Sequence, residues 1–309
     1  MAHPHKGAPK LWGAFFSILA FCLSASAQET YKFASRDSCD LYMDIFRPAE
    51  PSSKPAILHV FGGGFITGQR SDAFIRSWAD LLTSDGYTLV TVDYRLGMKG
   101  YKVGKGLVGA YKAAGQFFRS QEMGVEDVVS ALGYICDNAD SLRLDPANIV
   151  LAGSSAGAII TLATVKALAN GEIDSLPEGF ALKGAMSFAG AIIGTSGAPK
   201  FKNAPCPLAM FHGTADKAVA YDHLGTALRG IWGSSYISRQ LKRKGYSHCI
   251  YRFTDYTHDV AAYHIVMWPE EKLFLEQNII QGQDRRVDAT LTSDAHPHWT
   301  PVSLDTIYN

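Results

Sequence analysis

The chain has 309 residues, 47% of them hydrophobic, with 29 Lys and Arg against 29 Asp and Glu. That size and apolar content suit one large domain or two small ones with a substantial core. The balanced charge offers no overall basic character for nucleic acid or an anionic membrane.

Taken in chain order, residues 1–27 read as an export signal. Lys6 and Lys10 precede an apolar run over residues 11–23, and Ala25-Ser26-Ala27 fits a small-x-small cleavage site before Gln28. The run is short for a membrane span. The expectation is therefore a secreted or periplasmic protein without a stable span after cleavage, an uncleaved anchor being the alternative. The expected divisions are the signal at 1–27, a catalytic domain at 28–283 and a polar tail at 284–309.

Residues 41–46 alternate apolar and polar side chains, as in a half-exposed strand near a sheet edge. Residues 56–61 and 87–92 are continuous apolar runs, the pattern of buried parallel strands. Between them, residues 72–84 have helical spacing. Residues 97–123 include glycines at 97, 100, 104, 106 and 109 and show no clear period, so a long loop is expected there, forming one wall of a pocket, with a surface excursion as the alternative. Residues 125–139 read as a helix, and 182–188, 207–212 and 249–253 as strands. Residues 224–244 and 261–281 are amphipathic and read as long helices. Strands alternating with helices predict an α/β fold with a mostly parallel central sheet covered on both faces.

The four cysteines beyond the signal are Cys39, Cys136, Cys206 and Cys249. In an exported chain an even number suggests disulfides. Cys206 and Cys249, each preceding a strand, are the first expected pair, with buried free thiols as the alternative.

The chemistry centres on residues 148–158, NIVLAGSSAGA. An aliphatic strand, a Gly-x-Ser-x-Gly turn and a small apolar helix place Ser155 at a sharp corner. Such a corner is tolerable only if the residues two positions either side lack a Cβ. Ser155 is the candidate nucleophile, and a serine needs a general base oriented by a carboxylate.

In a parallel sheet those groups lie beyond the carboxyl ends of strands. That rule selects His258, past the 249–253 strand, and Asp216, past the 207–212 strand. His59 and His212 fall within or at the tip of strands and read as core or bracing residues. His264 reads as a surface residue of the following helix, and His223, His248, His296 and His298 lie elsewhere. Asp222 and Asp255 are weaker candidates for the acid. The order Ser155, Asp216, His258 is the order expected for this architecture. Donors for an oxyanion would be the Ala156 amide and the glycine loop Phe61-Gly62-Gly63-Gly64-Phe65.

The glycine loop, Asp93-Tyr94-Arg95-Leu96, Gly153-Ser-Ser-Ala-Gly157, His212-Gly-Thr-Ala-Asp216 and His258 together resemble the α/β-hydrolase superfamily. Within it the chain is similar to carboxylesterases of the hormone-sensitive-lipase-like group, which carry a His-Gly-Gly-Gly loop. The resemblance implies an α/β-hydrolase fold with a small or absent cap, and a serine hydrolase with no metal and no organic cofactor. It also implies oxyanion donors at Gly63, Gly64 and Ala156, and a structural role for Arg95. Phe61 departs from the pattern, standing where the group has His. An open site suits a short acyl chain, on a small-molecule or glycan ester. The rival readings are a serine peptidase of the same fold and a non-catalytic binding module.

Overall fold

The computed structural model describes residues 28–36, 39–254, 256–262 and 264–292. Its first strands, β1 (Gln28–Arg36) and β2 (Cys39–Phe46), form an antiparallel ribbon. β1 alternates exposed and half-buried residues at the sheet edge, and was hidden because its sequence, QETYKFASR, is largely polar. β3 (Ala56–Val60) is buried along its whole length. α1 (Ala73–Ser84) follows, capped by the Asp72 carboxylate, which accepts from the Ile75 amide at 2.8 Å. β4 (Thr88–Val92) comes next.

Residues 97–123, expected as a loop, depart from that reading. A 32-residue helix, α2 (Gly106–Asp137), begins inside them. Two of its glycines, Gly109 and Gly124, mark places where the helix meets other groups closely. A Cβ on Gly109 would lie 1.8 Å from the Gly104 carbonyl oxygen, and one on Gly124 would lie 2.3 Å from Ile160 Cδ1. Tertiary packing thus overrides a low local propensity.

A single turn, α3 (Ala139–Leu142), leads to β5 (Ile149–Ser154) and α4 (Ala156–Ala169). Then come β6 (Gly184–Phe188), β7 (Ala191–Gly194) and β8 (Leu208–Gly213). The expected helix at 224–244 is instead two short strands, β9 (His223–Gly225) and β10 (Gly230–Gly233), followed by α5 (Ser234–Arg243). Gly225 at φ 120° and a Gly233 whose Cβ would meet the Ala220 carbonyl oxygen at 1.8 Å make this hairpin and stop a longer helix.

After β11 (Cys249–Phe253) the expected helix at 261–281 is broken. A 3-10 turn at His258–Ala262 precedes α6 (Trp268–Phe274), which passes into a π turn at Leu275–Ile280. β12 (Val287–Leu291) lies inside the segment expected as a tail, yet it pairs in parallel with β11. The central sheet therefore extends beyond residue 283.

Among the described residues nine strands form one sheet in the order β1-β2-β4-β3-β5-β6-β8-β11-β12, antiparallel over the first three and parallel thereafter. α2, α4 and α5 pack on one face through Leu132, Ile160 and Leu241. α1 and α6 cover the other through Trp78 and Phe274. This is the α/β-hydrolase fold expected above. A small second sheet, β7-β10-β9, is built from the connections after β6 and β8.

The thiols of Cys206 and Cys249 are free. Their strands are indeed neighbours, but Cys249 stands opposite Ala209. Cys206 is three residues upstream, roughly 10 Å along the strand direction, too far for a disulfide. Among the described residues no helix is long and apolar enough to cross a membrane. The expected export signal and the residues after 292, His296 and His298 included, lie outside the described residues.

Candidate active site

β5 delivers Ser155 to the corner at the start of α4. Its backbone sits at φ 52°, ψ −116°, a strained position for a residue with a side chain. The flanking glycines are required by space. A Cβ on Gly157 would stand 2.0 Å from the Val60 carbonyl oxygen, and one on Gly153 would stand 2.4 Å from that of Gly157. The Ser155 amide donates to the Phe188 carbonyl at 2.9 Å, tying the corner to β6. Among the described residues, three of the four non-glycine residues with positive φ, Phe65, Ser155 and Ala189, lie on loops at this end of the sheet.

The structure brings His258 and Asp216 to Ser155. His258 Nε2 is 2.7 Å from Ser155 Oγ, and His258 Nδ1 is 2.8 Å from Asp216 Oδ2. A carboxylate only accepts, so Nδ1 donates and the neutral ring leaves Nε2 to accept from the serine hydroxyl. The loops carrying acid and imidazole are joined by backbone. The Thr214 amide donates to the Phe253 carbonyl at 3.0 Å, and the Ala215 amide to the Tyr256 carbonyl at 2.9 Å. Gly213 permits the approach, since a Cβ there would meet the Thr257 carbonyl oxygen at 2.3 Å.

Asp216 is buried, and its Oδ1 accepts from the Ala218 and Val219 amides, each at 2.9 Å. Burial pushes its carboxyl up, but hydrogen bonds from His212 and His258 outweigh that and hold it well below the ordinary carboxylate range. His212 is a partner that sequence spacing did not assign to the acid. Its Nε2 lies 3.2 Å from Asp216 Oδ2 and 3.1 Å from the Val219 carbonyl oxygen. Its Nδ1 lies 2.9 Å from Ser234 Oγ. The clue was present, because His212 stands four residues before Asp216 at the end of one strand. Asp222 is exposed and pairs with Arg239 at 2.6 Å, and Asp255 lies outside the described residues.

The glycine loop lies beside the nucleophile. A Cβ on Gly62 would be 3.2 Å from Ser155 Cβ. Gly63 and Gly64 take φ 123° and 63°. The Gly63 carbonyl accepts from the Ile66 and Thr67 amides at 3.0 and 3.1 Å, closing the turn. Phe61 braces the loop from below, its ring 4.6 Å from that of Tyr94 and beneath Gly68. Ala156 opens α4, so its N–H belongs to the first turn, whose amides have no partner within the helix. Arg95 points away and binds the buried Asp127 through Nε at 2.9 Å and Glu126 through Nη2 at 2.6 Å.

Behind the corner lies a second polar cluster. Ser154 Oγ is 2.6 Å from His264 Nε2 and 3.3 Å from His59 Nε2. His264, expected at the surface, is fully buried, with its ring 3.9 Å from that of Phe188 and 4.4 Å from that of Trp78. Because the helix expected over 261–281 breaks before Trp268, the residue turns inward. Its Nδ1 faces Glu271 Oε1 at 3.7 Å. Burial pushes the His59 imidazole down to about 3. It likewise lowers His264, with His59 adding to the effect, and raises Glu271 well above its ordinary range. Burial thus disfavours the charged form of every member of the cluster. Among the described residues no group of three His, Cys, Asp or Glu side chains is placed to hold a metal ion.

Comparison with known proteins bears on the fold and the family. An esterase from Thermogutta terrifontis, solved with propionate bound, superposes with a TM-score of 0.56 at 20% identity, over 83% of this chain and 96% of its own. The probable N-octanoylanthranilate hydrolase AqdA2 of Rhodococcus erythropolis is 32% identical over 111 residues, 36% of this chain and 22% of that protein. The para-nitrobenzyl esterase of Bacillus subtilis is 30% identical over 130 residues, 41% of this chain and 25% of its own. The matched region is therefore only about a quarter or less of the length of these two relatives. The carboxylesterase family matches residues 21–175, half of the chain, including the glycine loop and Ser155. These matches point to that family rather than to the hormone-sensitive-lipase-like group. The chain belongs to the carboxylesterase family.

Proposed function

We propose that the protein is a serine hydrolase that cleaves short-chain carboxylic esters through Ser155, His258 and Asp216. The observation behind this reading is the continuous path from Ser155 Oγ to His258 Nε2 at 2.7 Å and from His258 Nδ1 to Asp216 at 2.8 Å. In this mechanism His258 takes the Ser155 proton as Oγ attacks the ester carbonyl. The oxyanion is held by the amides of Gly63, Gly64 and Ala156. His258 then protonates the departing alcohol, leaving an acyl-enzyme, and activates the water that hydrolyses it. Asp216 keeps the imidazole in the required tautomer and stabilises its cation.

The short-chain preference, with acylated glycans among the substrates, is part of the proposal, as is export with cleavage before Gln28. The Thermogutta relative was solved with propionate bound, in keeping with a small acyl group. The test is hydrolysis of p-nitrophenyl acetate and of longer p-nitrophenyl esters by the wild type and by Ser155→Ala. The wild type should favour the short esters, and the variant should lose at least ~1000-fold in kcat. Equal rates for the two folded proteins would reject the reading.

A further inference from the structure

Among the described residues, most of the large apolar side chains left exposed fall on two segments, Ile265 and Ile280 lying elsewhere. Val103, Leu107, Val108 and Tyr111 lie at or just before the start of α2, Leu107 being 91% exposed, and Leu224 and Leu228 lie on the β9–β10 hairpin. The two segments touch, with the Arg229 guanidinium 4.2 Å from the centre of the Tyr111 ring.

Along residues 94–121 every side chain with a fixed charge is basic. Lys99, Lys102, Lys105 and Lys112 are all exposed, and no acidic residue occurs between Asp93 and Glu122. At the hairpin the acid nearest in sequence, Asp222, is paired with Arg239. The neutral total charge of the chain conceals this local asymmetry. Apolar side chains set among lysines complement an interface with an apolar interior and an anionic face.

Charge also argues against two other occupants. A two-fold contact between copies would set these lysines against their own counterparts. Residues 1–28 carry Lys6 and Lys10 and no acid, so they do not complement the patch either. We propose that the start of α2 and the β9–β10 hairpin form a docking surface for an anionic lipid membrane, bound peripherally. The apolar side chains enter the headgroup region while the lysines lie over acidic headgroups. From Leu107 the helix runs roughly 15 Å to Phe117. The Phe117 ring packs 6.5 Å from that of Phe65, beside the glycine loop. Docking would hold that loop near the membrane. The proposal does not depend on the catalytic reading.

The test is hydrogen–deuterium exchange of the full chain with vesicles of phosphatidylcholine alone or mixed with phosphatidylglycerol. Segments 103–114 and 223–230 should exchange at least ~10-fold more slowly with the anionic vesicles only. The protection should fade as salt rises and screens the lysines. Lys102→Glu/Lys105→Glu/Lys112→Glu and Leu107→Ser/Val108→Ser should each abolish it, with Tm unchanged. Residues 1–27 are common to all these proteins. Binding through their apolar run alone would leave the two segments unprotected, and that outcome would overturn the proposal. So would equal protection on neutral vesicles, or protection that grows with protein concentration in the absence of lipid.

Discussion

At the scale of single residues, the site depends on groups held in unfavourable surroundings by specific partners. Asp216 is buried, yet two imidazoles and two backbone amides favour its charged form. A carboxyl whose folded pKa lies below its unfolded value stabilises the fold above the ordinary carboxylate range and loses that contribution as pH falls through the folded value. Asp216→Asn should therefore lower Tm at pH 7, and the gap to the wild type should narrow below about pH 4. In the proposed mechanism kcat should also fall, by roughly 10⁴-fold, because the amide cannot enforce the tautomer. The Ser154 cluster behaves in the opposite sense. Glu271 has a raised folded pKa, so its contribution is most favourable below about pH 4 and declines as pH rises. Glu271→Gln, which imitates the neutral acid, should raise Tm relative to the wild type at pH 8 and converge with it near pH 4. Thermal melts across that range check both substitutions. The placement of Ser155, Asp216 and His258 near one another was legible in the sequence because strand ends and a Gly-x-Ser-x-Gly turn leave local marks. The roles of His212 and His264 were not, because both depend on what packs behind a loop.

At the scale of elements, α2 is the informative case. The helix over residues 125–139 was readable, whereas glycines and exposed residues obscured the first half of α2. Some of those glycines answer to a close neighbour, but Gly115 does not, since a Cβ there meets nothing within 4 Å. Gly115→Ala should therefore stabilise the protein by about 0.5–1 kcal/mol, through helix propensity and a less flexible unfolded chain. Chemical denaturation should show a higher midpoint with an unchanged slope. The hairpin at β9–β10 teaches the converse lesson. Its amphipathic sequence suggested a helix, but Gly225 pairs with Gly230 within the hairpin, and Gly230 and Gly233 pair with β7.

For the whole molecule, the sheet needs β12 as its last strand. β12 covers the edge of β11 along the full register from Cys249 opposite Val287 to Phe253 opposite Leu291. Ending the chain at residue 283 should expose that edge and cause a marked loss of Tm together with aggregation. Light scattering during thermal melts compares this truncation with the full chain.

By itself the sequence determined the alternation of buried strands and helices, the strained corner at Ser155 and the carboxyl-end positions of Asp216 and His258. Those features follow from local hydrophobic runs, glycine geometry and the order of elements. Only the tertiary structure decided that a glycine-rich stretch is helical, that Cys206 and Cys249 stand out of register, and that a polar segment closes the sheet. It also decided that His264 turns inward and that apolar and cationic side chains from distant segments share one surface. Each of these depends on contacts between residues far apart in the chain, which local periodicity does not encode.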